Sequence, residues 1–205
     1  MSDRPIPFFG PMVRALLEGR KTQTRRVLNP WCEEPPAFIF REGIYAYDEN
    51  DAAYKLPKTH GVGDLLWVRE AWRTWAQYDP FPPRALEAGT HVAYEATPDI
   101  PNLGSNAGKY RPGMFMPRWA SRLTLIVTDV RVQRLQEISE ADAAAEGSAG
   151  YVSSNGEDGE SPSEEFRSLW DSLNAKRGFG WDANPWVAAY SFRVEKINID
   201  RMGAA

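Results

Sequence analysis

The segment Arg122–Leu135 carries the clearest alternating pattern in the chain and limits its possible folds more than any other stretch. Leu123, Leu125 and Val127 recur at every second residue, and Val130 and Val132 then alternate with Arg131 and Gln133. A period of two places the apolar set on one face of a strand. The phase slips near Asp129, which predicts a bulge or sharp bend between two pairing partners. Further strand patterns lie at Thr24–Leu28, Leu65–Trp72 and Trp186–Ile197, with a hairpin around Phe38–Tyr47. Helical periodicity is expected at residues 11–18, with Pro11 in the first turn and Gly19 closing it. Ser139 with Glu140 and Asp142 predicts a capped helix reaching Glu146 before Gly147. Ser163-Glu164-Glu165 predicts the cap of a helix over 163–176, with Phe166, Leu169, Trp170 and Leu173 on its buried face. Strands and helices in this mixture predict the α+β class.

A chain of 205 residues can bury a substantial core. With no internal repeat and no linker, it reads as one domain over 1–205 with insertions at 29–62, 76–117 and 148–162. The first two insertions are rich in proline, and the third, rich in Ser, Gly and acids, has the composition of a disordered loop. No apolar run reaches membrane-span length, and Asp3, Pro5 and Pro7 break any secretory signal, so no membrane partner is expected. The single cysteine, Cys32, agrees with a reducing compartment, and the expected location is cytoplasmic. Cys32, His60 and His91 are too few for zinc, which prefers four N or S ligands. A carboxylate-and-water magnesium site stays open, but no cofactor is expected. A net charge of −4 excludes bulk coating of duplex DNA. Cations nevertheless gather at 20–26 and 109–134, leaving a local basic face for a short oligonucleotide or a nucleotide.

The densest chemistry is Gly19-Arg20-Lys21-Thr22-Gln23-Thr24-Arg25-Arg26. A lysine there suits the negative end of a helix dipole, which is a sufficient reason for its presence. It becomes a base only if burial or neighbouring cations lower its pKa, and a threonine hydroxyl becomes a nucleophile only beside a base. Lys21 and Thr24 meet only if the chain stays curved between them, since in a straight strand they point to opposite faces.

Gly19, Lys21, Thr24 and Arg26 form Gly-x-Lys-x-x-Thr-x-Arg, which resembles the signature of the ASCH domain family, a relative of the PUA RNA-binding fold. Gly63–Glu70, Met116–Arg122 and Asn184–Val187 resemble its longer bacterial and phage-encoded branch. The resemblance implies a PUA-like small β-barrel with flanking helices and activity on RNA, nucleosides or related bases. Some small ASCH proteins hydrolyse N4-acetylcytidine with a Lys, a Thr and a Glu. Carried over, these are Lys21, Thr24 and Glu146 as the catalytic set for a metal-independent amidohydrolase. Arg25, Arg26, Trp67, Arg69, Glu70, Arg118, Trp119 and Arg122 are the candidate substrate-binding residues, around a rim cleft. A modified nucleoside or single-stranded RNA is the expected partner. Alternative readings are a non-catalytic RNA or modified-base reader, a metal-independent ribonuclease, and a phage accessory protein acting on another protein.

Overall fold

The computed structural model describes residues 3–28, 38–40, 43–47, 53–56, 59–97, 103–151 and 159–202. Cys32 and the tracts 29–37 and 152–158, parts of two expected insertions, lie outside the described residues. The strands are β1 (Asp3–Pro7), β2 (Gln23–Val27), β3 (Phe38–Phe40), β4 (Gly43–Tyr47), β5 (Ala53–Lys55), β6 (Leu65–Arg69), β7 (Trp72–Arg73), β8 (Ala93–Tyr94), β9 (Thr124–Arg134) and β10 (Trp186–Glu195). The α-helices are α1 (Gly10–Leu17), α2 (Glu140–Ala145) and α3 (Pro162–Asn174). Five strands pair in the order β1-β6-β9-β10-β2, so the fold is mixed α+β with a five-stranded sheet and few helices. The pairings among the described residues do not close into a barrel. Strands β3-β4-β5 form a three-stranded antiparallel sheet, so the expected hairpin gains a third member.

The chain divides into two compact units. The first contains 1–19, 65–126 and 194–205; the second contains 20–64 and 127–193.

In the first unit β1 runs parallel to β6, and β6 runs antiparallel to the start of β9. Leu66, Trp67 and Val68 are all buried, the near-continuous pattern of a strand covered on both faces. Helix α1 buries Val13 and Leu16 and stops at Gly19, whose φ of +77° is the left-handed residue that closes helices. The expected strand over Leu65–Trp72 breaks after Arg69. There Glu70 is buried beside Arg122, and Trp72 leaves for β8 and Arg111. The proline-rich 76–117 supplies core: Leu86 and Met116 pack with Trp72 and Ala120, flanked by Tyr78, Val92, Tyr94 and Trp119.

In the second unit β2 pairs antiparallel with β10, Val27 opposite Val187 and Thr24 opposite Tyr190. Its core joins Leu135, Ala143, Phe166, Trp170 and Val187. Ser139 caps α2 as expected, its hydroxyl accepting from Asp142 N at 3.1 Å. Helix α3 is capped by Ser161 instead of Ser163, because Pro162 occupies the first turn and the capping box closes on Glu164. Leu173, expected on the buried face, is exposed; Asn174 turns inward instead and donates to Trp170 O. Strand β9 is unbroken, but Thr128 and Asp129 are exposed in succession, where the alternation was expected to slip.

Candidate active site

Helix α2 ends in a Schellman motif: Gly147, at φ +99°, donates to Ala144 O, and Ser148 N donates to Ala143 O. That leaves the carbonyls of 145, 146 and 147 without partners inside the helix. The segment after α1 supplies them in reverse order. Thr22 N donates to Ala145 O at 2.8 Å, Lys21 Nζ to Glu146 O at 2.7 Å, and Arg20 Nη1 to Gly147 O at 3.1 Å. Thr22 O also accepts from Phe192 N, which fixes the segment between α2 and β10. Lys21 therefore enters the site as a helix cap, in line with the dipole argument from sequence.

Its amine does more than cap. Lys21 Nζ lies 2.6 Å from Glu146 Oε2, with the lysine side chain wholly enclosed and Glu146 only 3% exposed. Arg25 Nη1 takes the other oxygen, Oε1, at 3.2 Å. Burial lowers the pKa of Lys21, the attraction of Glu146 opposes that fall, and the charges of Arg26 and Arg25 reinforce it. A glutamate at a helix C-terminus, unfavourable by itself, is here held by two cations.

Strand alternation sets the rest. Gln23 and Arg25 share one face of β2, where Gln23 Oε1 accepts from Arg25 Nη1 at 2.6 Å. Arg25 Nη2 lies 3.2 Å from Asp142 Oδ2, an ion pair without the alignment of a hydrogen bond, and among the described residues its Nε has no hydrogen-bond partner. Asp142 also accepts from Gln23 Nε2 and from Arg131 Nη2. Burial alone would raise the Asp142 pKa, but the bonds from Arg131 and Gln23 and the nearby cations bring it down to about 2.

Thr24 lies on the other face of β2, opposite Tyr190. It is buried. The chain is irregular through Lys21 and Thr22 and becomes regular strand at Gln23. Arg26, half-buried, lies near enough to interact electrostatically with both Glu146 and Tyr190. Burial pushes the Tyr190 phenol up to about 12, against the pull of the His60 N–H and of Arg26.

The remaining predicted residues belong to the first unit. Arg122 holds the buried Glu70 through two bonds, 2.8 and 2.9 Å, and lies 4.0 Å from the Tyr94 ring. Burial raises the Glu70 pKa while Arg122 pulls it back. Arg69 stacks 4.5 Å from the buried Trp67 ring and donates to Met114 O. Arg118 binds Asp3 and Asp200, and Trp119 packs against the Trp72 core.

Two further residues complete the Lys21 cluster: Asp142, whose first-turn position already accounts for an acid, and Gln23. The sequence carries a signal for both. Asp142 and Glu146 are four apart and therefore share a helix face, just as Gln23 and Arg25 share a strand face. Among the described residues no group of three or more His, Cys, Asp or Glu could hold a metal ion, and no helix is long and apolar enough to cross a membrane.

No protein-family model and no curated protein matches the chain. Among solved structures it is similar to a crystal structure of a protein from Enterococcus faecalis V583 assigned to the family model DUF984. That likeness has 14% identity and a TM-score of 0.44, and covers 97% of this chain and 83% of that one.

Proposed function

We propose that the Lys21 site hydrolyses an amide on a modified nucleobase of the N4-acetylcytidine type, on a PUA-like (ASCH) scaffold. The observation that carries this reading is the buried Lys21 amine, its pKa lowered by desolvation, seated 2.6 Å from the Glu146 carboxylate. With its pKa lowered the amine gives up its proton more readily and can then act as a base, and a carboxylate in contact with it can pass the proton onward. In the proposed sequence Lys21 takes a proton from the Thr24 hydroxyl or from a water that Thr24 holds. The oxygen adds to the acyl carbon, and the C–N bond breaks as Glu146 delivers that proton to the departing amino nitrogen. Where Thr24 itself is acylated, a water completes the reaction by the same route. The products are the free nucleobase amine and a carboxylic acid.

The complete enclosure of the Lys21 side chain favours a second reading, a non-catalytic reader of RNA or modified bases in which the pair is a strut. A panel of N4-acylated cytidines and short labelled RNAs, followed by mass spectrometry, separates the two. The hydrolase releases acyl mass, and Lys21→Met and Glu146→Gln each slow it by about 10²–10⁴-fold. A reader changes no mass, and a ribonuclease would shorten the RNA. Acyl loss from no member of the panel would remove the proposal.

A further inference from the structure

Arg25 is an expensive residue in its position. Its side chain is fully enclosed, yet among the described residues only Nη1 of its three nitrogens makes well-aligned hydrogen bonds, to Gln23 and Glu146. Burying a guanidinium with donors unused costs stability, so packing alone is a poor account of it. What the position achieves is a bridge. Asp142 and Glu146 project from the same face of α2 one turn apart, and Arg25 spans them, with Nη1 toward Glu146 Oε1 and Nη2 toward Asp142 Oδ2. Gln23 locks the bridge from both sides, accepting from Arg25 and donating to Asp142. The Phe166 ring, 5.8 Å from the guanidinium carbon, backs it. Glu146 is thereby divided: one oxygen is committed to Arg25, and the other is left to Lys21.

We infer that Arg25 is the positioning residue of this site and that Asp142 acts through it to set the charge state of Lys21. The activity side of this inference rests on the hydrolase reading; the electrostatic side does not. The titratable and charged groups around the amine are Glu146 and Asp142 from α2, Arg20 before β2, Arg25 and Arg26 within it, Tyr190 from β10, and Arg131 from β9 through Asp142. Asp142→Asn leaves the Arg25 charge uncompensated beside the amine, so the Lys21 midpoint falls. Arg25→Gln removes a cation, so the midpoint rises.

The test is NMR titration of the lysine ε-methylene in the folded full-length chain, with Lys21→Arg assigning the signal and circular dichroism checking the fold. The expected result is a shift of about half a pH unit or more, downward in Asp142→Asn and upward in Arg25→Gln, with Asp142→Glu near wild type. A merely structural role would loosen the site in both variants and raise both midpoints toward that of a solvated lysine, which would overturn the inference. So would no shift in either. In the acyl-cytidine assay, Asp142→Asn should lower turnover about 10-fold or more, with recovery in Asp142→Glu, because Arg25 and with it Glu146 lose their placement even though the lower midpoint leaves more of the amine as free base. Shifts of the expected sign with no turnover in any variant would leave the positioning role standing and sink the hydrolase. Turnover without the shifts would do the reverse.

Discussion

At the scale of single residues, the Lys21–Glu146 contact is costly to keep and costlier to break. Glu146→Gln strands two buried cations, Lys21 and Arg25, and is expected to cost about 3–5 kcal/mol in chemical denaturation. Lys21→Met leaves Glu146 still paired with Arg25 and should cost clearly less. The pH dependence has a defined sign. The Lys21 pKa lies below 10.5 when folded, so the unfolded chain binds the extra proton. Wild-type stability therefore gains as pH rises from the folded pKa toward 10.5, and Lys21→Met lacks that gain. Equal losses in the two variants would contradict this account. The residue types of the site were readable from the motif, because Gly19, Lys21 and Thr24 stand at short fixed spacings. The long-range pairing with residue 146 came only through a family resemblance, since no local pattern links positions so far apart. Asp142 was missed because its N-terminal placement already had a sufficient local reason.

Individual elements were most legible where capping chemistry is strict. Ser139 marks the start of α2 from sequence, but around α3 two serines compete, and Pro162 decides for Ser161. Ser161→Ala should cost about 1 kcal/mol in thermal or urea unfolding, through loss of the bond its hydroxyl accepts from Glu164 N, while the Glu164 carboxylate keeps its bond from the residue 161 backbone N–H. Ser163→Ala should cost less, because its hydroxyl reaches Glu140 and Ser161 from a half-buried position and caps no helix. A larger loss at Ser163 would mean that the cap is misassigned. The amphipathic stripe of α3 was also only partly legible. Phe166 and Trp170 go inward, while Leu173 comes out because Asn174 bonds back to Trp170 in the last turn. Periodicity fixes an apolar face over whole turns and loses authority where a helix ends.

For the molecule as a whole, the α+β class followed from the strand and helix patterns. The division into two units did not, because each is assembled from separated segments and Lys21 and Glu146 come from different stretches of one of them. Sequence locality cannot express such an assembly. Global stability should nonetheless report the Lys21 cluster at low pH. The Asp142 carboxyl titrates at about 2 instead of 3.8, so its contribution is fully present above about pH 4 and disappears as pH falls toward 2. With 16% of the side chain exposed, the shift corresponds to about 2 kcal/mol. Asp142→Asn should melt below wild type at neutral pH, with the gap closing through that acid window; a gap unchanged at acid pH would refute the pairing.

The three donors of residues 20–22 meet the carbonyls of 147–145 one for one, like the teeth of two combs laid in opposite directions. Such an arrangement does not tolerate a change in spacing. A residue gained or lost on either comb would slide every contact at once and carry the amine away from its carboxylate. Descendants of this chain can vary identity freely only at Thr22 and Ala145, which meet through backbone atoms, and cannot vary the length of either comb.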